Sequence, residues 1–141
     1  GATVVIVGTR IERFHGKYRL EATPDVEASE VCPEDFHAIV VPGGWAPDKL
    51  RRYPPILKLV RGIYEQGKIV AAICHAGSVL ISAGIVRGHK ATGSMGIRDD
   101  LVNAGAEWMD VPALRDGNLV FGRVVEDIPA FCRELVKALE E

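Results

Sequence analysis

This sequence has little of several things, and each shortage excludes a class of protein. Only three of its 141 residues are cysteine, and no two are spaced Cys-x-x-Cys. An odd count without that spacing speaks against a disulfide framework and against a cysteine-bound zinc. It fits a reducing compartment, and a cytoplasmic location is expected. Basic residues are nowhere concentrated: the longest Lys/Arg run is Arg51-Arg52, and the formal net charge is −2. A nucleic-acid partner is therefore not expected. Of the four histidines, those at 15, 37 and 89 show no metal-ligand spacing, so no metal or other cofactor is expected. Apolar runs such as 4–7 and 69–74 fall far short of the ~18 residues that cross a bilayer, so no membrane partner is expected. No secretory signal is visible, although the sequence starts at Gly1 and not at Met.

What is present is ordinary globular material. Hydrophobic residues make up 48% and charged residues 26%, enough for one core in one domain spanning residues 1–141. Residues 3–7, 38–41 and 69–73 are short, unbroken apolar runs, as in strands of a parallel sheet buried on both faces. Residues 10–14 and 18–22 flank His15-Gly16 and predict a small hairpin. Pro54-Pro55 suits a helix start, and Ile56, Leu57, Val60, Ile63 and Tyr64 follow with helical spacing up to Gly67. Residues 75–83 and 97–104 read as helices stopped by Gly84 and Gly105. Asp116-Gly117 is a hairpin signal, and residues 128–139 form an amphipathic terminal helix. Strands alternating with helices predict an α/β fold with a mostly parallel sheet. Gly1-Ala2 directly before a strand reads like the exit from a preceding helix, as if the text began inside a βαβ unit.

One turn carries chemistry. Cys74 stands between the strand 69–73 and the helix after it, in the arrangement of a nucleophile elbow. Such a turn needs small residues two before and two after the nucleophile, and Ala72 and Ala76 meet that need. A helix start lowers a thiol pKa, and His75 can accept a proton or act as an imidazolium partner. Free cysteine is also a common buried hydrophobe, but the small neighbours, strand and helix together favour a reactive Cys74. Cys32 reads as incidental, and Cys132 as packed core beside Phe131 and Leu135.

Pro42-Gly43-Gly44 lies at the carboxyl edge of a strand, where α/β sheets bind ligands. Gly43 and Gly44 leave backbone amides open to an oxyanion, and a simple turn is the alternative. Asp48 can orient His75, or it can satisfy a helix N-terminus; the sequence leaves both open. Arg123 follows a predicted strand and is a candidate for a substrate carboxylate or a neighbouring subunit.

At this point the residues resemble a family. The segments Phe36-His-Ala-Ile-Val-Val-Pro-Gly-Gly-Trp-Ala-Pro-Asp48 and Val70-Ala-Ala-Ile-Cys-His-Ala-Gly77 are similar to the PfpI family of intracellular proteases and protein deglycases. This family lies within the class I glutamine amidotransferase-like superfamily. So are Leu80-Ile-Ser-Ala-Gly84, the stretch from Ile97 to Asp110, Asp116-Gly-Asn-Leu119 and the stretch from Asp127 to Glu134. The resemblance implies a flavodoxin-like three-layer sandwich, a Cys74 nucleophile beside His75, and a homo-oligomer with its site near a subunit interface. It implies that the acid at Asp48, usually Glu, reaches the histidine of a neighbouring subunit. It also implies an oxyanion site from Gly44 and His75, with Ala76 where Gly is usual. The family's first strand and helix are not in this chain, and neither is a Glu after that strand. The chain is therefore expected to belong to a longer polypeptide or to be completed by another chain.

Two chemistries fit: peptide-bond hydrolysis, and attack on reactive carbonyls such as methylglyoxal or its adducts on proteins. The rival class is a non-catalytic oxidative-stress sensor or protective oligomer with an oxidisable Cys74. Glutamine amidotransfer fits poorly, because no His–Glu pair lies far downstream of Cys74, where His89 is the only histidine.

Overall fold

The computed structural model describes all residues, 1–141. In chain order the strands and α-helices are β1 (Val7–Gly8), β2 (Phe14–His15), β3 (Glu21–Ala22), β4 (Val26–Glu27), β5 (Ala38–Val41), α1 (Ala46–Leu50), α2 (Pro54–Glu65), β6 (Ile69–Ile73), α3 (Gly77–Ser82), β7 (Lys90–Ala91), α4 (Arg98–Asn103), β8 (Glu107–Trp108), β9 (Ala113–Asp116), β10 (Leu119–Gly122) and α5 (Ile128–Glu140). The main sheet has the order β5-β6-β10-β9. Its β5–β6 and β6–β10 pairs are parallel and β9–β10 is antiparallel, as the Asp116-Gly117 turn predicted.

Alternation along β6 and β10 sends side chains to both faces, and each face has its own cover. Val70, Ala72, Leu119 and Phe121 pack with Ile56, Leu59, Val60 and Ile63 of α2 and with Val79, Leu80 and Leu101 of α3 and α4. Ile69, Ala71 and Val120 pack with Phe131 and Ala138 of α5. The result is helices, sheet, helix: the α/β fold that the strand–helix alternation predicts, arranged as the three-layer sandwich that the family resemblance implies. Burying each large side chain of α2 contributes roughly 1.5–3 kcal/mol, which fixes the helix leading into β6.

The turn from β9 to β10 is tied to this frame. Asn118 Nδ2 donates to the carbonyls of Tyr64 at 3.0 Å and Lys68 at 2.9 Å, joining the end of α2 to the start of β6. Nearby, His89 sits between Tyr64 Oη at 2.8 Å and Asp116 Oδ2 at 3.2 Å, so each ring nitrogen has a partner.

Two expectations are corrected here. Residues 3–7 do not form a doubly buried strand: only Val7–Gly8 pairs, with β4, apart from the main sheet. Val4, Val5 and Ile6 are 81%, 42% and 47% exposed, and Val40 on the free edge strand β5 is 48% exposed. An apolar run reports a preference for burial, and here no neighbouring strand or helix satisfies it. Cys132 is exposed. The inward stripe of α5 runs through Phe131, Leu135 and Ala138, at four- and three-residue steps, and residue 132 lies one step around the helix from it.

Candidate active site

β6 ends where the chain must turn sharply, and Cys74 makes that turn. Its φ is 60°, in the left-handed region, while Ile73 before it is extended at φ −123°. A non-glycine residue there is strained by about 1–2 kcal/mol, and such strain gathers at functional positions. A 3₁₀ turn over Cys74–Ala76 then leads into α3. Ala72 and Ala76 are fully buried, as the elbow pattern requires.

The turn is held from three sides. Ser94 N–H donates to the Cys74 carbonyl at 3.0 Å. Gly43 lies against the cysteine so closely that a Cβ there would sit 2.7 Å from Cys74 Cβ. A Cβ on Gly93 would sit 2.9 Å from the Cys74 carbonyl oxygen. Cys74 is partly buried, with its Sγ 3.3 Å from His75 Nδ1. A thiol–imidazole pair at that distance can pass a proton from sulfur to nitrogen, which makes the thiolate, the nucleophilic form.

The His75 ring packs on Trp45, with centroids 5.6 Å apart and planes tilted by 32°. Both line a cleft of about 370 Å³ together with Gly44, Asp48, Arg51, Ser78, Gly96 and Ile97. Gly44 adopts φ +71°, open to glycine at no steric cost. The structure thus brings Cys74, His75, Gly43, Gly44 and Ala76 together, with Asp48 on the rim.

Two candidates have ion-pair partners within the chain. Asp48 does not reach His75 of its own chain; its half-exposed carboxylate pairs with Arg52 one helical turn on. Arg123 has two acids of its own. Its Nε donates to Asp127 at 2.9 Å and its Nη1 to Asp110 at 2.9 Å. These bonds, first to Asp127 and then to Asp110, push its pKa further above the ordinary arginine value. Its guanidinium ties the end of β10 to α5 and is not free for a substrate. No group of three or more His, Cys, Asp or Glu side chains is placed to hold a metal ion.

Sequence reasoning missed Gly93, Gly96, Ser78, Ile97 and Arg51. The signal for the first two was a Gly-Ser-Met-Gly stretch directly after Ala91-Thr92, a loop composition at the end of a short strand. Arg51 was hidden in a helix end beside Arg52, where either arginine looks like surface.

Comparison with known proteins places these features in a family. The DJ-1/PfpI family description matches residues 1–138. The chain is 44% identical over 140 residues to a deglycase of Pyrococcus horikoshii, covering 99% of this chain and 84% of that one. It is 43% identical over 125 residues to the deglycase PfpI of Pyrococcus furiosus, covering 89% and 75%. Among solved structures, it is similar to a two-domain protein from Anabaena variabilis that contains DJ-1/ThiJ/PfpI-like and ferritin-like domains. The TM-score is 0.97 at 41% identity, over 99% of this chain and 42% of that chain. The chain therefore belongs to the DJ-1/PfpI family, and its α/β sandwich with a mostly parallel sheet is the fold of that family.

Proposed function

We propose that residues 1–141 act as one PfpI-like domain of a cysteine-dependent hydrolase, with the Cys74 thiolate as nucleophile. The observation that carries this reading is the strained Cys74 with His75 Nδ1 3.3 Å from its sulfur. In the proposed reaction, sulfur adds to an electrophilic carbon while the carbonyl electron pair moves to oxygen. The amides of Gly44 and His75 receive that oxyanion, and His75 takes and returns the proton. The deglycase names of the relatives favour adducts of reactive carbonyls over peptide bonds as substrates.

Asp48 completes the site from a second copy of the chain. It stands at the cleft rim, half exposed, and only Arg52 competes for it. The decisive assay compares wild type with Cys74→Ala on methylglyoxal-modified N-acetylarginine and on a casein peptide. Loss of turnover on the adduct is expected. Unchanged turnover on both substrates would refute the assignment of Cys74, and turnover on neither by the wild type would favour an oxidisable sensor thiol.

A further inference from the structure

Arg51 is the cation of the cleft, and it is oriented by a hydroxyl instead of an acid. Its Nε–H donates to Ser82 Oγ at the end of α3, at 2.9 Å. Ser82 is its only side-chain hydrogen-bond partner, and no carboxylate lies within ion-pairing distance. Two other arginines differ: Arg52 is taken by Asp48, and Arg123 by Asp110 and Asp127. The bond to Ser82 uses the guanidinium nitrogen nearest the stem and leaves both terminal amino groups without a partner. Arg51 is only partly exposed and shares its cleft with His75 and Gly44. A pinned, half-buried guanidinium with two open amino groups matches the two oxygens of a carboxylate.

We infer that Arg51 is a specificity residue: it receives the carboxylate of a small anionic electrophile whose adjacent carbon meets Cys74. The substrate class is then 2-oxo acids with an aldehyde or ketone carbon beside the carboxylate, in preference to neutral dicarbonyls. In the bond-forming step the Cys74 sulfur donates an electron pair to the carbonyl carbon. The carbon–oxygen π pair moves to oxygen, which takes the proton held by His75. The product is a hemithioacetal or hemithioketal, and nothing is oxidised or reduced. This inference rests on Cys74 being the nucleophile, so its test must separate the two.

Alkylation does so without requiring turnover. Iodoacetate and iodoacetamide deliver the same carbon to sulfur, with iodide leaving in both cases, and differ in the carboxylate. The rate at Cys74 is followed by peptide mass mapping, because Cys32 and Cys132 are exposed as well. The iodoacetate-to-iodoacetamide ratio is expected to fall about tenfold in Arg51→Met, the loss of a charge-assisted hydrogen bond. Arg51→Lys should recover part of it, and Ser82→Ala, which frees the guanidinium, should lower it less. Arg133→Met, on the helix covering the opposite face of the sheet, removes the same charge and should keep the wild-type ratio. A ratio unmoved in Arg51→Met, or moved equally in Arg133→Met, overturns the role of Arg51 and leaves the nucleophile standing. If Cys74 reacts no faster than Cys32 and Cys132 with either reagent, the nucleophile assignment falls and the role of Arg51 falls with it.

Discussion

Gly43→Ala adds one methyl group at the most crowded point of the site. The new Cβ would lie 2.7 Å from Cys74 Cβ, 3.0 Å from the Ile73 carbonyl oxygen and 3.6 Å from Cys74 Sγ. Carbon atoms rest about 3.5–4.0 Å apart, so either the loop after β5 or the elbow itself must give by about 1 Å. The backbone of Gly43 is not left-handed, so the cost is purely steric. Overpacking of this kind costs roughly 1–3 kcal/mol. The reduced entropy of the unfolded chain offsets about 0.4–1 kcal/mol of that. A net loss of about 1–2 kcal/mol remains, equivalent to a Tm lower by roughly 3–8 °C for a chain of this size. The stability change alone would not single out the site. Gly67→Ala supplies the contrast: at φ +71°, with nothing within 4 Å, it is strained by about 1 kcal/mol and touches nothing near Cys74. Both variants should melt earlier, by differential scanning calorimetry, but only Gly43→Ala should slow Cys74 alkylation by iodoacetamide, by severalfold or more. The reasoning fails if Gly43→Ala alkylates at the wild-type rate, since the methyl group would then have displaced neither sulfur nor its turn.

Other outcomes follow from contacts elsewhere. Asn118→Ala should lower the urea midpoint by the equivalent of about 1–3 kcal/mol, because the carbonyls of Tyr64 and Lys68 lose their shared side-chain donor together. Asn118→Asp should be no better, since a carboxylate cannot donate to either carbonyl. Arg123→Met should lower the same midpoint by leaving Asp110 and Asp127 without their shared cation; an unchanged midpoint would show that the pairs hold nothing. If Asp48 acts across a subunit boundary, Cys74→Ala and Asp48→Ala chains, each inactive alone, should regain adduct hydrolysis when dissociated and reassembled together. Activity no greater than the sum of the separate preparations would place the acid elsewhere.

The periodic parts of the chain were legible because each obeys a local rule. Pro54-Pro55 and the stripe from Ile56 to Ile63 give α2, and Asp116-Gly117 gives the β9–β10 hairpin. The Cys74 elbow was legible for the same reason, since its demand for small residues falls two positions either side. Contacts between distant segments were not. Nothing near Gly93 announces that it must lie bare against the Cys74 carbonyl, because that demand comes from the turn after β6, about twenty residues earlier in the chain. Arg51 and Arg52 are adjacent and chemically identical, and only the fold gives one an acid and the other a serine. The run at 3–7 was misjudged because hydrophobicity states what a strand would bury and not whether a neighbour exists to cover it.

The elbow shows why these two kinds of information meet at one residue. A left-handed cysteine persists only if its surroundings over-determine it. On the chain's N-terminal side, Ile69, Val70, Ala71 and Ala72 are locked between two layers of side chains and between β5 and β10. On the other, Ala76, Val79 and Leu80 are buried against the same core. Neither flank can move to relax Cys74 without opening the sandwich. Gly43 and Gly93 then close on the turn from the ends of two other strands, leaving no space for a side chain at either place. Strain of about 1–2 kcal/mol at one residue is small beside the burial on its two flanks. The same packing that makes the fold stable therefore holds the strained turn that sets the sulfur 3.3 Å from His75 Nδ1, the fixed geometry on which the proposed nucleophilic attack depends.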